Sequence, residues 1–114
     1  MTNSDFVKLP DSELEIMQAI WSLYYDGEKY ISAGNIIKRF KDISRLKLTT
    51  VITLITRLES KGYVAVEKIG RTNCCKPLIT RDEYLEFATL DFISRVYLGN
   101  NAELLDKLNN IANN

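Results

Sequence analysis

The sequence predicts a mainly α fold that carries one small antiparallel β hairpin. Three observations predict it. Apolar residues recur at three- and four-residue steps in several separate segments, the mark of amphipathic helices. One segment, Tyr63-Val64-Ala65-Val66-Glu67, alternates with period two and leads into a glycine-containing tip and a return run. The charge is also unevenly spread. The 114 residues sum to zero, yet residues 35–81 hold eleven Lys or Arg against three acids, while residues 1–34 and 82–114 each hold two against six. Such a split points to a polyanionic partner for the middle of the chain.

The first helix is expected over Asp11–Tyr25, with Leu14, Met17, Ile20, Trp21 and Tyr24 as its apolar stripe, widened by Ile16 and Leu23. Pro10 suits a helix start, where its missing N–H costs little. Asp11, Glu13 and Glu15 favour the positive end of the helix dipole, and Asp26-Gly27 ends the helix. Trp21 reads as a core aromatic. Tyr30-Ile31 reads as a brief strand. Ser32 is an N-cap for a second helix, Ala33–Lys41, whose apolar side is Ile36, Ile37 and Phe40. Asp42 to Lys47 is a basic connector.

The third helix is expected over Leu48–Lys61. At 100° per residue, Leu48, Leu54, Ile55 and Leu58 fall within ~60° of Val51 and form the core face. Thr49, Thr53, Thr56 and Ser60 lie opposite, flanked by Thr50 and Arg57 on one edge and by Ile52 on the other. So many threonines are poor for helix propensity. Their hydroxyls suit base edges and phosphates, and their methyls suit the thymine methyl. Gly62 closes the helix. Ile69 to Asn73 is the expected hairpin tip, Cys74 to Ile79 the return strand, and Pro77 confines that strand to an edge. Lys68, Arg71 and Lys76 make the hairpin basic. Cys74 and Cys75 should point to opposite faces, one buried and one exposed. The sharper alternative is an oxidation-sensitive hairpin.

Thr80-Arg81-Asp82-Glu83 is a capping box for a fourth helix reaching about Leu98. Gly99-Asn100 breaks it, and a fifth helix covers Ala102–Ala112 with Leu104, Leu105, Leu108 and Ile111. A lone helical hairpin cannot bury this much apolar surface. A second copy, joined through Leu85, Phe92, Val96, Leu104 and Leu108, is the simplest cover; packing back on the first helix is the alternative.

The order helix, tight turn and charged hairpin is that of a winged helix-turn-helix. The reading is therefore a DNA-binding domain over residues 1–80 and a helical dimerisation region over 81–114. Thr49, Thr50, Thr53 and Thr56 are the candidate base readers. Lys47, Arg57, Lys68, Arg71 and Lys76 are the candidate phosphate contacts. There is no histidine, no Gly-rich phosphate loop and no marked carboxylate pair, so an enzyme is not expected. No cofactor, metal or small-molecule ligand is indicated. No apolar run approaches a membrane span, and Met1 to Lys8 lacks the apolar stretch of a secretory leader, so a cytoplasmic location is expected. A winged helix that binds another protein rather than DNA is the competing class.

The chain also resembles the penicillinase and methicillin-resistance repressor family (BlaI/MecI type), to which the copper-responsive CopY repressors are related. The resemblance rests on Leu9-Pro10-Asp11-Ser12-Glu13-Leu14-Glu15-Ile16-Met17 with Ile20-Trp21, on Thr50-Val51-Ile52-Thr53-Leu54-Ile55-Thr56-Arg57-Leu58 with Lys61-Gly62-Tyr63, and on Phe92-Ile93-Ser94-Arg95-Val96-Tyr97. It implies a homodimeric repressor on a palindromic operator, with the third helix in the major groove, the family's threonine pair at Thr50 and Thr53, and the wing on the backbone. The chain departs from the family pattern in three respects. Ile52 stands where the family often has a basic residue, and Lys47 where a small capping residue is common. Relatives cleaved to lift repression are cut at an Asn-Phe bond; this chain has none, with Lys107-Leu108 at the aligned place. The paired C-terminal cysteine motifs of the copper-responsive cousins are absent from the sequence.

Overall fold

The structure, a computed structural model, describes residues 6–113. The expectation of no secretory leader over Met1 to Lys8 therefore falls, for residues 1–5, outside the described residues. The elements run α1 (Asp11–Tyr25), α2 (Ala33–Arg39), α3 (Leu48–Ser60), β1 (Val64–Ile69), β2 (Thr72–Pro77), α4 (Arg81–Val96) and α5 (Asn101–Ala112). Two compact units result: one spans Val7–Arg81, the other runs from Asp82 onward and includes Phe6.

In the first unit, α1 starts after Pro10, which holds the extended conformation of an N-cap, with Asp11 and Glu13 in the first turn. Its buried face is Glu13, Ile16, Met17, Ala19, Ile20, Trp21 and Leu23. The true core face is therefore rotated from the expected stripe. Leu14 is half-buried and Tyr24 is exposed, in an edge-to-face pair with Tyr25 at 6.0 Å between ring centroids. Trp21 is the expected core aromatic, and its indole N–H donates to the Ile79 carbonyl at 2.8 Å.

Ser32 caps α2 reciprocally with Asn35: the Asn35 N–H donates to the Ser32 hydroxyl, and the Asn35 side-chain oxygen accepts from the Ser32 N–H. The helix ends two residues earlier than expected. Phe40 is already extended, and residues 41–46 fold into successive turns pinned by buried Ile43. The sequence pattern there is that of a linker; one buried isoleucine makes it a folded corner.

Val51, Leu54, Ile55 and Leu58 form the buried side of α3. Each of the fully buried side chains, Val51 and Leu58, contributes about 1.5–3 kcal/mol. Leu48, placed by the helical wheel in the core, is instead 51% exposed. Helical side chains lean back toward the N-terminus, so in the first residue the side chain clears the end of the helix and its core neighbours. Past Ser60 the chain turns at once. The Gly62 N–H donates to Glu59 and the Tyr63 N–H to Leu58, with Gly62 at φ +83°, so a Schellman cap leads straight into β1.

β1 and β2 pair antiparallel from Val64 opposite Pro77 to Ile69 opposite Thr72. The turn is therefore only Gly70-Arg71, shorter than the expected tip, with Gly70 at φ +64° as a two-residue hairpin loop requires. Ile31 makes an isolated bridge to Cys75, the brief strand expected there. In the second unit, α4 and α5 are joined through Leu98 and Gly99, both at positive φ, and Asn100 caps α5 by accepting from the Glu103 N–H at 3.0 Å. Phe6, Tyr84 and Phe87 make ring contacts within this unit. Among the described residues, no helix is long and apolar enough to cross a membrane.

Candidate nucleic-acid interface

The side of α3 turned from the core is exposed throughout: Thr49, Thr50, Ile52, Thr53, Thr56, Arg57, Glu59 and Ser60. Two threonines there satisfy themselves locally. The Thr53 hydroxyl donates to the Thr49 carbonyl at 2.9 Å and the Thr56 hydroxyl to the Ile52 carbonyl at 3.0 Å. This back-bonding explains how a threonine-rich segment tolerates a helix. It also fixes what the face presents: methyl groups and oxygen lone pairs from Thr53 and Thr56.

One edge of α3 and the hairpin turn share a cleft of about 440 Å³, lined among others by Leu48, Ile52, Thr56, Val66, Arg71 and Asn73. The wing turn and the outward flank of the helix thus lie on the same side of the unit. The opposite edge of α3 carries Thr50 and Arg57, which border Asp11, Glu15 and Arg45.

Eight of the eleven basic residues of 35–81 sort into two groups. Arg39 pairs with Asp26 at 3.4 Å, Arg45 with Glu15 at 3.1 Å, and Lys61 with buried Glu13. Glu15 holds the Arg45 guanidinium above its ordinary pKa, through its hydrogen bond first and its charge second. By contrast, Lys47, Arg57, Lys68, Arg71 and Lys76 are all exposed, and among the described residues none of them forms an ion pair. Lys47 is the N-cap residue of α3 with no side-chain capping bond. There its ammonium opposes the helix dipole.

The hairpin register separates the wing cations. Lys68 pairs with Asn73 and so shares the strand face of Val66 and Cys75, which line the cleft with α3. Lys76 lies on the other face, beside Lys29, Tyr30 and Glu67. Four of the five candidate cations therefore surround α3 or its side of the hairpin, and Lys76 stands apart.

Both cysteines are free thiols and both are buried, which corrects the expectation of one exposed thiol. Cys75 is hydrogen-bonded to the Ile31 carbonyl, and the Cys74 thiol lies 3.9 Å from the Thr72 carbonyl. Strand alternation separates two faces but says nothing of what covers each. Burial pushes the Cys75 thiol up from 9.0 to about 12. A lowered, reactive thiol is thus not present at Cys75, and the redox-sensitive hairpin loses its support.

In the second unit, α5 has no buried residue and α4 only Tyr84. Leu85, Phe92, Val96 and Leu108 are exposed, Phe92 by 42%, and Leu104 is half-buried. Leu90, Leu98, Leu105 and Ile111 extend this exposed apolar surface. Among the described residues no cluster of three or more His, Cys, Asp or Glu could hold a metal ion.

A helix with a threonine-rich outer face, a one-glycine turn and a β hairpin on the same side define a winged helix-turn-helix protein. The chain belongs to the penicillinase repressor family, whose model matches residues 9–111. It is 31% identical over 104 residues to the penicillinase repressor of Bacillus licheniformis, covering 90% of this chain and 77% of that one. It is 30% identical over 92 residues to the methicillin resistance regulatory protein MecI of Staphylococcus aureus (strain N315), covering 81% and 71%. The solution structure of the DNA binding domain of the repressor BlaI superposes with a TM-score of 0.54 at 30% identity, over 68% of this chain and 88% of that one.

Proposed function

We propose that this protein is a DNA-binding transcriptional repressor that acts as a cytoplasmic homodimer on a palindromic operator. The observation that carries the reading is the exposed hydroxyl-and-methyl face of α3, shared with the hairpin turn and surrounded by cations that, among the described residues, no carboxylate neutralises. Unpaired lysines and arginines are what phosphates require, and side chains on a protruding helix are what base edges require. The names of the relatives, repressors and a DNA-binding domain, point the same way.

In this reading residues 1–80 bind DNA and residues 81–114 form the dimer. Thr49, Thr50, Thr53 and Thr56 face base edges. Lys47, Arg57, Lys68 and Arg71 hold phosphates; Lys76, from the far strand face, holds a more distant one. Leu85, Phe92, Val96, Leu104 and Leu108 meet a second copy, which would cover apolar side chains that one chain leaves in water. Two protomers on one side of the duplex read half-sites about 10 base pairs apart, or a multiple of that. No catalytic step, cofactor, small-molecule effector or membrane contact is required.

The test is binding of random duplex DNA at roughly 50 and 200 mM salt. Six to ten phosphate contacts per dimer should cost about a thousandfold or more in affinity across that interval. Binding that is absent, or insensitive to salt, would defeat the proposal and favour a winged helix that docks on another protein.

A further inference from the structure

We infer that Ile52, supported by Leu48, is an apolar base reader that selects thymine by its 5-methyl group. The inference rests on the DNA-binding reading above and specifies what the helix reads. Residues Leu48 to Thr56 contain no charged side chain and no Asn or Gln. The usual partners of guanine and adenine, bidentate Arg, Lys, Asn or Gln, are thus missing from this stretch of α3. What projects from it instead is hydrocarbon and hydroxyl. Ile52 is 47% exposed and Leu48 sits one turn before it, so the two form a continuous apolar edge on the cleft side.

Thr56 and Thr49 border that edge within about 60° on the helix. The hydroxyl proton of Thr56 is committed to the Ile52 carbonyl and that of Thr53 to the Thr49 carbonyl. Those side chains add methyls and acceptor oxygens to the surface. The only hydrocarbon on a base edge in the major groove is the thymine methyl, and acceptor oxygens complement the amino group of the adenine or cytosine beside it. Flanking cations at Lys47 and Arg71 would hold the phosphates on either side, so the apolar edge is placed against bases rather than backbone. A single exposed isoleucine needs no partner to explain it. An apolar edge framed by unpaired cations is different, because cations attract the one polymer that offers methyls between phosphates.

The experiment uses a duplex selected from a random pool by the full chain. It is resynthesised with deoxyuridine in place of thymidine at one position at a time, which removes the methyl and nothing else. One or two positions per half-site should lose roughly fourfold in affinity, the value of one buried methyl. Ile52→Ala should bind the thymidine duplex more weakly and should no longer distinguish uracil from thymine at those positions. If the selected duplex binds specifically but every uracil substitution is silent, the inference fails while DNA binding stands. It also fails if sensitivity to uracil survives undiminished in both Ile52→Ala and Leu48→Ala. If the pool yields no enriched sequence, the operator-specific reading falls and takes the inference with it. The uracil series on the unaltered protein needs no substitution to fold.

Discussion

In the proposed reading, Thr53 separates folding from recognition within a single side chain. Its hydroxyl is bonded to its own helix, and alanine is a better helix former than threonine. Thr53→Ala should therefore leave stability unchanged or slightly raised, while discrimination at one base position falls by about 1–3 kcal/mol. Equal losses on operator and random DNA would contradict that role. Arg71, at the hairpin turn, should behave in the opposite way. Arg71→Ala is expected to weaken all sequences alike and to lower the slope of log affinity against log salt by about 1 for each phosphate left without its cation. A binding titration at several salt concentrations separates the two substitutions.

Cys75 sets an alkaline limit. Its folded-state pKa, about 12, lies above the ordinary 9.0, because burial disfavours the thiolate. Below pH 9 both folded and unfolded chains keep the proton, so this group adds no pH dependence. Between pH 9 and about 12 the unfolded chain loses the proton first, and stability falls as pH rises. Urea denaturation should show a steeper decline across that window in the unaltered protein than in Cys75→Ala. A thiol reagent at a pH of about 8 should label Cys75 only after unfolding.

At the scale of elements, the cap after α3 does the most to place the wing. Gly62 has open space around the position of a Cβ, so alanine there meets only the strain of a positive φ. Gly62→Ala should cost about 1–2 kcal/mol, read as a lower urea midpoint with an unchanged slope. This cap is legible in the sequence, as are α1 from Asp11 to Tyr25 and the capping serine of α2, because each depends on local chemistry. The illegible features depend on distant partners. Leu48 has a core-facing angle but no core beside it. Phe40 and Lys41 leave the helix because Ile43 is drawn inward. Cys75 is bridged to Ile31, far before it in sequence, and neither thiol is left exposed. The candidate site divides in the same way: Thr49, Thr53 and Thr56 follow from helical period, whereas the isolation of Lys76 from α3 follows only from strand register.

For the molecule as a whole, the local excess of charge overstates the field available to a partner. Part of it is neutralised at home, since Asp26, Glu15 and Glu13 take up Arg39, Arg45 and Lys61. Lys47, Arg57, Lys68 and Arg71, which remain exposed, lie around α3 and its side of the hairpin. The second unit, acidic over residues 82–114, contributes exposed apolar surface rather than cations, and its partner is expected to be a second chain. The protein should sediment at twice 13.1 kDa, and Phe92→Glu should return it to the monomer mass. Because Phe92 is an exposed side chain within one chain rather than a buried one, the helical content by circular dichroism should survive. Loss of helicity together with loss of the dimer would mean that the side chain supports the fold instead.

The joint between Ser60 and Val64 leaves no slack. Tyr63 is fully buried, its hydroxyl is held by the Val7 carbonyl, and its amide is tied back to Leu58. The helix α3 and the hairpin are thereby geared to a common phase. One residue inserted at this joint would spoil the alignment of groove and rail together, however intact either part remained by itself.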